Sequence, residues 1–291
     1  MRGESKRRTS CIRVYDTLLR IGEDLSSNAA PRKISQSLGG KRIMRRELPP
    51  SCRILVSDPC KMLDCPAIYD MSRPLEVEVG CGKGRFLTGR AAKNPDCEFL
   101  GIERMLNRVH TFDGKVRRAG LKNTHILRLE ALYTFWYLLP LHHARTVYVF
   151  FPDPWPKKKH HSHRLFGPMF LNALWQRLEI GGTLQFATDH EEYFHVVEEC
   201  FQEDEADRIK KGLPPRYKRV EPMTRGPEEW TEFETLFRGQ GKPVYAAAWT
   251  ALETDDPPLM PMTVAEEDEP REGIERRESR GKEWKAEHAE D

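Results

Sequence analysis

From about residue 75 to residue 250 the chain alternates short apolar runs with stretches of helical periodicity, and this alternation limits its fold more than any other feature. Strand candidates are LEVEVG (75–80), CEFLGIE (97–103), THILRLE (124–130), RTVYVFF (145–151), GTLQFAT (182–188) and VYAAAWTAL (244–252). Helical patterns fill 84–93, 104–119, 131–139, 165–178 and 190–204. Strands interleaved with helices predict a doubly wound α/β fold, a mostly parallel sheet covered on both faces. RYKRV (216–220) precedes the last strand without a convincing helix between them, so an antiparallel hairpin is expected at one edge.

Charge divides the chain outside this region. Residues 1–48 carry twelve Lys and Arg against five acids, and residues 251–291 carry fourteen acids against six bases. The expected organisation is a basic, partly disordered N-terminal extension (1–60), a folded domain (61–252) and an acidic, disordered tail (253–291). A basic arm suits a polyanion, whereas an acidic tail repels one. No window approaches eighteen uninterrupted apolar residues and the N-terminus lacks an apolar signal core, so a cytoplasmic protein without a membrane span is expected. Seven scattered cysteines, an odd number, read as reduced thiols.

LEVEVGCGKGRFL sets Gly80, Gly82 and Gly84 between the first strand and the first helix. Glycines there permit a tight turn and close backbone approach to a ligand. The spacing is GxGxG, whereas a pyrophosphate site calls for GxGxxG. Glu78 stands two residues before the first glycine, where it repels phosphate but suits the ammonium of a zwitterionic amino acid. S-adenosyl-L-methionine has that group and no phosphate. Glu103, about twenty positions past the loop, is placed to accept from ribose hydroxyls. Glu130 ends the third strand in line with an adenine amino group. In open α/β sheets these strand ends converge on one crevice.

The fourth strand ends in VFFPDPWPKKKHHSHRL (149–165). Its prolines fix φ and remove amide donors, presenting Asp153 on a stiff loop beside the flat surface of Trp155. Lys157, Lys158, Lys159 and Arg164, with His160, His161 and His163, read as a phosphate-seeking patch. No carboxylate or thiolate lies at ligand spacing from the histidines, so no metal is expected. Asp189 ends the fifth strand, either facing a substrate or capping the helix that follows. GPEEWTEFE also reads as an ordinary helix start.

FPDPWPKKKHHSHRL, with EVGCGKG, GIE, ATDHEEY and TEFETLFRGQGKPVY in this order, resembles the bacterial tRNA (guanine-N7-)-methyltransferases over residues 75–247. KRIMRREL (41–48) is faintly similar to that family's basic N-terminal segment. The resemblance implies a Rossmann-like class I methyltransferase fold that methylates N7 of the guanine at position 46 of tRNA. It implies Glu78, Glu103, Glu130 and Asp153 around S-adenosyl-L-methionine, with Asp153 catalytic. Substrate contacts fall to Lys157, Asp189 and the Thr231–Glu234 segment, in a monomer or homodimer with tRNA as partner. Glu130 stands where that family usually has Asp or Asn, and the acidic tail lies outside its pattern. The alternatives are a related class I methyltransferase with another nucleic-acid or small-molecule acceptor, or a non-catalytic RNA-binding relative.

Overall fold

The computed structural model describes residues 50–56 and 63–256; most of the basic extension and the tail beyond residue 256 lie outside the described residues. Eight strands form one sheet: β1 (Arg53–Ile54), β2 (Leu75–Val79), β3 (Glu98–Ile102), β4 (Thr124–Leu127), β5 (Ala144–Phe150), β6 (Leu178–Thr188), β7 (Tyr217–Val220) and β8 (Tyr245–Ala251). Their order is β1-β4-β3-β2-β5-β6-β8-β7. All neighbours from β1 to β6 are parallel, and β8 runs antiparallel to both β6 and β7. This is the doubly wound α/β architecture with an antiparallel edge expected from the alternation. Strand order reverses between β2 and β5, which opens a crevice at their carboxyl ends.

The helices are α1 (Cys65–Ile68), α2 (Arg85–Lys93), α3 (Leu106–Ala119), α4 (Ala131–Tyr133), α5 (Pro168–Arg177), α6 (Glu191–Lys210) and α7 (Glu232–Gly239). A π-helical turn, Thr134–Leu138, prolongs α4. One core joins Val77, Val79, Leu100 and Leu127 to Phe170 and Leu174 of α5 and Val197 and Phe201 of α6. The other joins Phe99, Ile126 and Tyr148 to Phe86 and Leu87 of α2 and Val109 and Phe112 of α3.

Three elements depart from the expectation. The antiparallel edge forms, but α7 lies in sequence between β7 and β8. Its start is set by Thr231, whose hydroxyl accepts from the Glu234 N–H at 3.0 Å. Strand β6 begins at Leu178 because Leu178 already pairs with Ala144. The short β1 pairs with β4 and lies before residue 61, where the folded domain was expected to begin. Among the described residues no helix is long and apolar enough to cross a membrane.

Strand β2 carries two acids on one face. Leu75, Val77 and Val79 belong to the α5–α6 core, so Glu76 and Glu78 point to the α2–α3 side. Glu76 is fully buried and fully engaged. Arg90 donates to it through Nε at 2.5 Å and Nη2 at 3.1 Å, and Tyr148 through its hydroxyl at 2.8 Å. Arg145 also donates to Glu76. The β2–β5 ladder steps from Leu75↔Ala144 to Glu76↔Thr146, so Arg145 is the extra residue of a bulge aimed at that carboxylate. Burial pushes the Glu76 carboxyl up, but the Arg90, Arg145 and Tyr148 interactions outweigh it and leave it below its ordinary value. Glu76→Ala should lower the unfolding free energy by about 3 kcal/mol, the low end for breaking a buried pair because both arginines keep some solvent. Urea denaturation with an unchanged m-value checks this.

Candidate functional site

The residues singled out in the sequence gather at the carboxyl edge of the sheet. Ladder rows Val79↔Ile102, Ile102↔Leu127, Val79↔Val149 and Phe150↔Ala187 bring the ends of β2 to β6 nearly level. Glu78, Glu103, Glu130, Asp153 and Asp189 therefore leave adjacent strands on one side of the molecule.

The glycine turn has the conformation its residues allow. Gly80, Gly82 and Gly84 have φ of 70, 55 and 73°. A Cβ on Gly84 would stand 2.1 Å from the Phe112 ring, so both backbone angle and space demand glycine there. Glu103 is buried and held by this turn. Its Oε2 accepts from the Gly82 N–H at 3.1 Å, and its Oε1 from the Arg104 and Met105 N–H groups, each at 2.8 Å.

Glu78 is 3% exposed, and its Oε2 has no hydrogen-bond partner among the described residues. Burial is the main reason that its carboxyl is pushed up to about 8. Arg225 pulls it down, while Glu232 and Glu103 push it further up. A buried carboxylate without a partner is costly, so this oxygen suits a cation supplied from outside the chain.

Arg225 carried no signal in the sequence, being one arginine in a polar loop. Its guanidinium lies 4.0 Å from the Phe150 ring centroid and 5.8 Å from that of Phe86. It pairs with Glu234 Oε2 at 2.6 Å. Arg238 Nε donates to the other oxygen of Glu234 at 3.0 Å. Thr231 and Glu234, read as substrate contacts, are thus buried and engaged, one as a helix cap and the other between two arginines.

At the fourth strand's corner two bulky residues, Phe151 and Trp155, are held at φ of 52 and 44°. Arg164 braces the loop, donating through Nε to the Pro154 carbonyl at 2.8 Å. The same guanidinium lies 5.1 Å from the Tyr193 ring centroid. Rings of His163 and His160 pack against Trp155 at 4.9 and 5.8 Å. Part of the basic run, Arg164 with His160 and His163, thus braces the loop itself. Asp153, Lys157 and Lys159 are exposed, and the side chains of Asp153 and Lys157 form no hydrogen bond or ion pair among the described residues.

Two further assignments are sharpened. Glu130 caps α4, its Oε2 accepting from the Tyr133 N–H at 2.7 Å. Asp189 is not the cap of α6. That position belongs to His190, whose Nδ1 accepts from the Tyr193 N–H at 3.2 Å.

A doubly wound sheet with a three-glycine turn and buried acids at its strand ends defines an open α/β protein with a crevice at the carboxyl edge of its sheet. Residues 72–247 match the putative methyltransferase family, and the chain belongs to it. The tRNA (guanine-N(7)-)-methyltransferase of Chromohalobacter salexigens is 35% identical over 190 residues, 64% of this chain and 75% of that protein. The protein of the same description from Thermotoga maritima is 34% identical over 164 residues, 54% of this chain and 52% of its own length. The chain thus spans about half the length of this relative and of a similar one from Aquifex aeolicus. Among solved structures, the 16S rRNA methyltransferase KamB aligns at 17% identity with a TM-score of 0.45, over 66% of this chain and 95% of that one.

The Glu78 environment sets a pH dependence. Between about 4.5 and about 8 the folded state holds a proton on Glu78 that the unfolded state has lost, so this group makes stability fall as pH rises. Glu78→Gln should gain stability over wild type by ~1 kcal/mol per pH unit across that window, and run parallel to it above. Thermal or urea unfolding from acid to mildly alkaline pH measures the difference.

Proposed function

We propose that the chain transfers a methyl group from S-adenosyl-L-methionine to N7 of the guanine at position 46 of tRNA, forming 7-methylguanosine, in the cytoplasm. The reading is carried by two carboxylates at one sheet edge: Glu78, buried without a partner, and Asp153, exposed on a braced loop. The named activity of the relatives supports the acceptor.

The donor fits the residues present, since the orphaned Glu78 oxygen suits an ammonium and repels a phosphate. When bound, S-adenosyl-L-methionine supplies an electrophilic methyl group on a sulfonium. Glu78 would hold the ammonium of its amino-acid end, with the backbone of Gly80, Gly82 and Gly84 alongside. Glu103, already oriented by three amides, would accept from the ribose hydroxyls. With Oε2 of Glu130 given to the Tyr133 amide, an adenine amino group would meet Oε1.

Guanine N7 carries an in-plane lone pair and no proton, so attack needs no general base. The chain's task is alignment and electrostatics. Asp153 would stabilise the positive charge that develops on the purine, and accept from the guanine N1–H and 2-amino group, which adenine lacks in that pattern. Asp189, relieved of capping by His190, is free to meet the guanine edge. Lys157 and Lys159 would contact the tRNA phosphates.

Incubating the chain with labelled donor and unmodified tRNA should yield 7-methylguanosine on nucleoside analysis. Asp153→Ala should lower turnover by about two to three orders of magnitude with the melting temperature unchanged. Label in any other nucleoside, or near-normal turnover in the variant, would refute the respective assignment. Replacing Lys157 and Lys159 by Gln should weaken tRNA binding and reduce the slope of log affinity against log salt by about 2.

A further inference from the structure

The Thr231–Glu234 segment turns its two polar motif residues inward and its aromatic residue outward. Phe233 is 46% exposed and Leu236 is 52% exposed, on the same α7 that buries Glu234. Phe233 stacks on Phe237, with ring centroids 6.1 Å apart and planes inclined by 21°. Phe237 in turn meets Phe151, at 5.7 Å. Phe151 is two residues from Asp153, so the three rings lead outward from the corner that presents the proposed catalytic carboxylate.

The charges beside the rings are unequal in availability. Glu232 is paired with Lys115 at 3.0 Å, and Glu234 is held between Arg225 and Arg238. The acids of this helix are therefore neutralised within the molecule. Lys242 places its Nζ 4.8 Å from the Phe237 centroid and is exposed to solvent. Stacked aromatic rings with an exposed ammonium beside them match single-stranded RNA, whose bases offer π-faces and whose backbone offers phosphate. A protein partner recognised through Phe233 and Leu236 would have no comparable need for that cation.

We propose that Phe233 and Phe237, anchored on Phe151 and flanked by Lys242, form a stacking platform for the unpaired nucleotide next to the target guanine. The proposal rests on the tRNA reading above and names how that substrate is gripped. It assigns acceptor binding to the outward face of α7, whereas Thr231 and Glu234 hold the helix in place.

The test uses the full chain and a single-stranded oligoribonucleotide carrying 2-aminopurine beside a guanine. Wild type should quench the probe on binding. Phe233→Ala should weaken binding about tenfold and remove most of the quench, with the salt slope and melting temperature unchanged. Phe233→Trp should restore both, which lost folding would not allow. Phe233→Ala should also raise KM for tRNA more than it lowers kcat. Unchanged affinity and quench in Phe233→Ala overturn the proposal. So does dissociation of a dimer at unchanged RNA affinity, since the stripe would then be a self-contact. The two readings fail separately. Wild type that quenches the probe but yields no 7-methylguanosine refutes the reaction and leaves the platform, whereas normal tRNA methylation with Phe233→Ala at wild-type KM does the reverse.

Discussion

Two glutamates on one strand face, both taken out of water, meet opposite fates, and the site is organised by that difference. Glu76 has Arg90, Arg145 and Tyr148 around it and remains ionised. Glu78, one pleat further on, has an oxygen with no partner and a carboxyl pushed up to about 8. A chain that satisfies the first so fully has not run out of basic residues near the second. Arg225 is close enough to act on Glu78 electrostatically, yet its ion pair is with Glu234. The folded state thus keeps an unsatisfied carboxyl group at the strand-order reversal, where a doubly wound sheet accepts ligands.

The segment between β7 and α7 closes this arrangement. Arg85 donates to the Trp230 carbonyl at 3.1 Å, Arg90 pairs with Glu229 at 3.5 Å, and Lys93 with Glu228 at 2.7 Å. The exposed Lys93–Glu228 pair contributes little by itself. Together these interactions tie this segment, with its 3-10 turn at Pro227–Glu229, to α2, the helix that follows the glycine turn. The tie carries Arg225 to the ends of β2 and β5 and sets the outward direction of α7.

The sheet and its acids were legible because both follow from local pattern. Strand runs bounded by glycine, proline and acid mark the carboxyl ends, and parallel winding brings those ends together whatever the loops do. What depended on distant partners was not legible. GPEEWTEFE reads as a helix start, but it does not say that α7 follows as a full helix between β7 and β8, begun by the Thr231 cap. Arg225 and Arg164 look like any surface arginine until Phe150, Glu234 and the Pro154 carbonyl are placed around them. The TEFE segment does not say which way its side chains turn, and Thr231 and Glu234 turn inward, to a helix cap and an arginine pair. Asp189 shows the converse: the sequence leaves it between a substrate contact and a cap, and the structure gives the cap to the histidine one position later.

The central claim is that Glu78 is held for the ammonium of the methyl donor, and proton counting tests it most directly. Titration calorimetry of S-adenosyl-L-methionine at neutral pH, in buffers of different ionisation enthalpy, reports the protons exchanged on binding. A carboxyl near 8 that ionises against a cation should release most of one proton. Glu78→Gln should bind more weakly and release almost none. Binding with no net proton exchange in wild type, or the same release in the variant, would contradict the account.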